Sequence, residues 1–167
     1  MTKIETLPAA TESDLIHLSS RQQEVLNLAA LGLSVKEIGD KMYIAQGTAK
    51  AHNIAILCAF GVGRRLEVVI KGVTTGNVDL EESTKDLNTR NILKLSKSEK
   101  RVLDTMTQNK GENSRSEKIA PILGVTKNTI RMHFQSIVKK LEINRTRAGL
   151  LWLRYKKENP PQEAILK

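Results

Sequence analysis

Two stretches decide the fold: Leu18-Ser19-Ser20-Arg21-Gln22-Gln23-Glu24-Val25-Leu26 and Leu95-Ser96-Lys97-Ser98-Glu99-Lys100-Arg101-Val102-Leu103. They repeat Leu-Ser and Val-Leu at the same spacing, 77 positions apart. A second pair extends the match: Thr48-Ala49-Lys50-Ala51-His52 against Thr129-Ile130-Arg131-Met132-His133, now 81 apart. Arg64 and Arg145 keep that offset. The chain therefore holds two copies of one unit. The second copy carries about four extra residues, which fall most naturally in the polar run Asn109-Lys110-Gly111-Glu112-Asn113.

Each copy reads as helices. Ser19 with Gln22 and Ser96 with Glu99 fit a capping box, in which side chains satisfy the first backbone N–H groups. Val25, Leu26, Ala29 and Ala30 follow at helical spacing, as do Val102, Leu103 and Met106. Ser34 with Glu37 opens a short second helix through Met42. Its counterpart is expected to open at Ser114 with Glu117, or later because Pro121 falls inside it. Turns at Tyr43-Ile44-Ala45 and Gly124-Val125-Thr126 lead to third helices over about 46–60 and 127–141. Thr126 can cap its helix with a hydroxyl; Ala45 cannot. Fourth helices follow near 64–73 and 146–155. Short helix, tight turn and longer helix form the helix-turn-helix layout.

Composition fits. Aromatics are 3% of the chain, so the core must be aliphatic, which favours small helical domains. The net charge of +9 points to a polyanionic partner, nucleic acid first. The charge is uneven: residues 18–80 carry net +2 and residues 95–157 net +10. One cysteine, Cys58, excludes a disulfide framework. It lies in the apolar run Ile54–Phe60, where core packing is expected, with protein contact as a second use of so apolar a helix. No leader or apolar run of membrane-spanning length is visible, so a cytoplasmic setting and no membrane contact are expected. No metal-ligand spacing, phosphate loop or catalytic set stands out. The expectation is no enzyme, no metal and no cofactor.

Both copies resemble the DNA-binding domain of LuxR/GerE-type transcription regulators. Copy two carries Leu95, Ser96, Glu99, Val102, Leu103, Ile119, Ala120, Thr129, Ile130, Arg131, His133, Lys140, Leu141, Ile143 and Arg145 of that pattern. Copy one keeps Leu18, Ser19, Val25, Leu26, Glu37, Ile38, Thr48, Lys50, His52, Val62 and Arg64. It departs at Gln22, Gly39 and Ala59. The fold class expected is all-α, two tandem four-helix domains over 18–75 and 95–157. A polar, partly helical linker (76–94) joins them, with an arm (1–17) and a tail (158–167). With an arm of that length, no sensor or receiver domain is expected ahead of copy one.

The resemblance implies a regulator of transcription on double-stranded DNA, an activator in the first reading. Candidate DNA contacts are Thr126, Lys127, Asn128, Thr129, Arg131, Met132, His133, Lys139, Lys140, Arg145 and Arg147, with Lys50 and His52 in copy one. Arg131 suits guanine and Asn128 adenine; Lys139, Lys140, Arg145 and Arg147 suit phosphates. The family often dimerises through the fourth helix. Leu150, Leu151, Trp152 and Tyr155 form an apolar face on the last helix, for which core packing is the first reading; with Leu66, Val69 and Ile70, a seam for a homodimer or for pairing of the two domains is the second. The alternative is an anti-activator or co-regulator whose copy one binds another regulator or RNA polymerase. A sigma-factor-like element ranks third.

Overall fold

The computed structural model describes residues 15–108 and 114–160. The proposed insertion at 109–113, and residues 1–14 and 161–167 of the expected arm and tail, lie outside them. The chain divides into two compact units between Asp79 and Leu80. Unit 1 holds α1 (Ser20–Ala30), α2 (Val35–Met42), α3 (Gln46–Phe60) and α4 (Arg65–Thr75). Unit 2 opens with α5 (Leu80–Thr84) and a 3-10 helix (Thr89–Lys94). It continues with α6 (Lys97–Thr107), α7 (Ser116–Leu123), α8 (Lys127–Leu141) and α9 (Arg145–Glu158). Among the described residues there is no strand.

Local chemistry starts the helices where the sequence says. In α1 the Gln22 N–H donates to Ser19 Oγ at 3.3 Å and the Ser19 N–H to Gln22 Oε1 at 2.9 Å. Ser34 with Glu37 and Ser96 with Glu99 close the same reciprocal box on α2 and α6. Thr126 Oγ1 accepts from the Thr129 N–H at 3.1 Å, whereas Ala45 offers α3 no side-chain cap. One start differs from expectation. α7 begins at Ser116 with Arg115 as its N-cap, not at Ser114, which is buried. That start restores the repeat, because α7 then matches α2 in length and register. The offset passes from 77 to 81 between Thr107 and Ser116.

The core is mostly aliphatic, with Phe60, Phe134 and Trp152 as aromatic members. Val25, Leu26, Ile38, Ile56, Phe60, Val69 and Ile70 are buried in unit 1; Val102, Leu103, Met106, Ile119, Ile130, Ile137, Leu150 and Leu151 in unit 2. Tight helix-turn-helix packing explains Gly39. A Cβ there would stand 3.1 Å from the Ile44 carbonyl oxygen and 3.5 Å from Gln46 Cα.

The segment 76–94 belongs to both units rather than standing between them. Asn77 finishes unit 1: its Nδ2 donates to the Ile16 carbonyl at 2.8 Å, and its Oδ1 accepts from the Ile16 N–H at 3.0 Å. Val78 packs into Gly72, where a Cβ would meet its Cγ2 at 2.7 Å. From Leu80 onward the chain packs on α9. Arg154 Nη1 donates to the Thr84 carbonyl at 2.8 Å, and the Thr89 hydroxyl to Glu158 at 2.7 Å. This packing favours the first reading of the apolar faces, core, over a seam. Leu150, Leu151, Trp152, Val69 and Ile70 are buried, and Tyr155 and Leu66 are half-buried. The five buried ones are core side chains, and α9 already packs against α5, the 3-10 helix, α6 and α8.

Candidate nucleic-acid interface

A helix that enters a DNA groove must turn one exposed face outward while the opposite face holds it to its domain. On α8 the holding face is Ile130, Phe134, Ile137 and Leu141, all buried. Opposite them, at 3.6-residue spacing, lie Asn128, Met132, Gln135 and Lys139, all exposed. Lys127 and Arg131 flank this stripe on one side; Thr129 and His133, both half-buried, flank it on the other. Met132 is 59% exposed, which is unusual for a large apolar side chain and suits contact with a thymine methyl. The Thr126 cap fixes the start of the helix, and the Thr129 hydroxyl shares a 2.9 Å hydrogen bond with the Thr126 hydroxyl. Gln135 escaped the motif reading, because no family position marked it. Extending the spacing 128, 132, 135, 139 would have found it.

Three cations expected on phosphate are committed inside unit 2. Lys140 Nζ donates to both oxygens of Glu99, at 2.9 and 2.8 Å. Glu99 also accepts from the Ser136 hydroxyl at 2.6 Å and the Ser96 N–H at 2.7 Å. Burial pushes the Glu99 carboxyl up, but the hydrogen bonds from Lys140, Ser136 and Ser96 and the Lys140 charge outweigh it, leaving a pKa of about 2. Arg145 lies over the Phe134 ring, 3.4 Å from its centroid, and donates to the Ser114 carbonyl. Arg147 pairs with Asp86, whose carboxyl its hydrogen bond holds below the usual range. These three tie α6, α8, α9 and the segment after α5 together. Lys127 also pairs, with Glu117. By contrast, Arg131 and Lys139 are exposed and make no ion pair or hydrogen bond among the described residues. Arg101 on α6, outside the motif, shares that property.

In unit 1 the equivalent outward stripe of α3 is Gly47, Ala51, Ile54 and Cys58, with Gln46 and Lys50 at its edge. Ile54 is 50% exposed, and a Cβ added at Gly47 would meet nothing within 4 Å. Cys58 is exposed, not in the core. The apolar run that suggested burial sends only Ile56 and Phe60 fully inward. His52 is half-buried and Lys50 exposed, like their partners His133 and Arg131. The scaffold is therefore repeated, but its outward chemistry is not.

No described helix is long and apolar enough to cross a membrane, and no described cluster of His, Cys, Asp or Glu has metal-binding geometry.

Comparisons with known proteins agree with this geometry. The family GerE, described as bacterial regulatory proteins of the luxR family, matches residues 17–71 and 93–150, well over half of the chain. Over 63 residues the chain is 44% identical to YhjB of Escherichia coli (strain K12), whose name describes an HTH-type transcriptional regulator. That match covers 38% of this chain and 28% of the relative. Over 64 residues it is 38% identical to the transcriptional regulatory protein LnrK of Bacillus subtilis (strain 168), covering 38% of this chain and 29% of the relative. The chain thus spans under a third of the length of the curated relatives it matches. No solved structure matches it. Matched twice along its length, the chain belongs to the luxR family of bacterial regulatory proteins.

Proposed function

We propose that this protein is a DNA-binding regulator of transcription in which unit 2 reads the sequence, its α8 entering the major groove. One observation carries the reading: the outward stripe of α8 is polar and cationic, with Asn128, Gln135 and Lys139 beside exposed Arg131 and Met132. Asn and Gln suit adenine edges, Arg suits guanine, and each good pair discriminates by about 1–3 kcal/mol. Lys139 and Arg131 add the charge that phosphates attract, which makes affinity fall with salt. Duplexes selected by the wild-type protein from a random pool test this. Arg131→Ala and Asn128→Ala should weaken binding to the selected sequence and relax its preference at separate positions. An unselective wild-type protein overturns the reading.

A second reading applies to unit 1 alone. The outward stripe of α3 offers no hydrogen-bond donor of its own apart from Cys58; its donors are the flanking Gln46, Lys50, Thr48 and His52. A small, apolar helix face is ill-suited to base edges and better suited to a protein surface. This favours a regulator whose unit 1 contacts another protein, such as a second regulator or RNA polymerase. Activation and anti-activation both remain compatible with that division.

A further inference from the structure

Arg101, Ser98 and His133 line one cleft between α6 and α8, together with the buried Val102 and Ile130 and with Leu123 and Val125. We infer that this cleft is a second backbone-phosphate clamp, in which Arg101 and Ser98 of α6, with His133, grip the DNA strand on the α6 side of α8. The inference rests on the proposed DNA reading and extends it to a helix outside the helix-turn-helix.

The geometry follows from the helical period. With about 100° per residue, His133 and Arg131 stand roughly 200° apart around α8, measured across its outward face. The stripe Asn128, Met132, Gln135 and Lys139 lies between them. A helix set in the major groove has a phosphodiester strand on each side. The Arg131 side has its free cation, Arg131, beside Lys127, which pairs with Glu117. On the other side α8 offers only Thr129 and His133, both half-buried, because Ser136 and Lys140 are engaged with Glu99. The missing charge comes from α6. The Arg101 guanidinium is exposed and makes no ion pair or hydrogen bond among the described residues, and it borders the same cleft as His133. A guanidinium, a hydroxyl and a ring N–H form a donor set for one phosphate oxygen cluster.

Unit 1 gives the counter-image. At the 77-residue offset, Glu24 stands where unit 2 has Arg101 and Arg21 where it has Ser98. The two are paired with each other at 3.0 Å. His52 still matches His133, but a carboxylate now occupies the guanidinium position. Paired with Arg21, it leaves no free cation there for a phosphate. The clamp thus explains, on a separate helix, why DNA reading falls to unit 2.

The test measures the affinity of the full chain for one selected duplex at several salt concentrations. The variants are Arg101→Ala, Arg101→Glu, Ser98→Ala and, as a control, exposed Arg90→Ala. Arg101→Ala should weaken binding about three- to tenfold and reduce the salt slope by about one, with the preferred sequence unchanged. Arg101→Glu should weaken it further, and Arg90→Ala should leave affinity and slope as they are. If the wild-type protein binds DNA and Arg101→Ala binds equally well with the same slope, the clamp is overturned while the DNA reading stands. An equal loss in Arg90→Ala, or a changed sequence preference in Arg101→Ala, also overturns it. A wild-type protein that binds no duplex removes both.

Discussion

Lys140 Nζ lies 2.8 Å from Glu99 Oε2, and the Glu99 side chain is 4% exposed, so α8 is fastened to the start of α6 through a buried carboxylate. The equivalent positions in unit 1 are Gln22 and Ala59, with Ala55 in place of Ser136. All three partners are replaced together. The remaining Gln22 keeps the half of the job that needs no charge, the capping box with Ser19. A buried carboxylate stripped of its cation would be costly, so the set changes as a unit.

Glu99→Gln should therefore destabilise unit 2 while preserving the cap. With a folded pKa of about 2 against an ordinary 4.5, the ionised carboxylate contributes on the order of 2–3 kcal/mol. The shift is downward, so this stability is present above about pH 4.5 and is lost as pH falls toward 2. Urea unfolding of wild type and variant should differ most at pH 7 and converge near pH 2. A gap that stays constant across that window contradicts the role assigned to the pair.

Arg145→Ala should lower the stability of unit 2 by about 1–2 kcal/mol, since it removes the contact with the Phe134 ring and the bond to the Ser114 carbonyl. The salt slope of DNA binding should change little. Calorimetric unfolding beside a salt titration separates the two effects. A fallen slope with unchanged stability would return Arg145 to the phosphate.

Tyr43 ends α2 with φ at 55°, the left-handed region, where unit 2 has Gly124 at 66°. Its side chain is 96% exposed and adds nothing to the core. Tyr43→Gly relieves the steric cost but gives the unfolded chain more freedom, leaving a net gain on the order of 0.5 kcal/mol. A rise in the midpoint of urea unfolding checks it; a fall would show that the tyrosine ring holds something.

Cys58 should react with a thiol reagent in the native protein, at a rate close to that of the unfolded chain, because it is exposed on α3. Ile54→Lys, on the same stripe, should change stability by less than about 0.5 kcal/mol. Protection of Cys58 in the isolated chain would mean that the stripe is covered.

Much of this was legible beforehand because it depends on local chemistry. The capping boxes at Ser19, Ser34 and Ser96 and the Thr126 cap are set by residues three apart, and both third helices run over the expected residues. What escaped depends on tertiary contact. The run Ile54–Phe60 is apolar at nearly every position, so no period shows that Ile54 and Cys58 point outward. Lys140, Arg145 and Arg147 read as free cations, since their partners Glu99, Ser114 and Asp86 lie 31 to 61 residues away. Leu80–Lys94 looked like a connector because its hydrogen-bond partners sit on α9.

The central claim is that unit 2 reads DNA and unit 1 does not. Its most direct test is a titration of the full chain against its selected duplex, comparing Arg131→Ala with Lys50→Ala, the equivalent position in unit 1. The account predicts a loss of about tenfold or more for Arg131→Ala, in line with one guanine contact, and less than about a twofold change for Lys50→Ala. Equal losses, or a larger loss for Lys50→Ala, would contradict it.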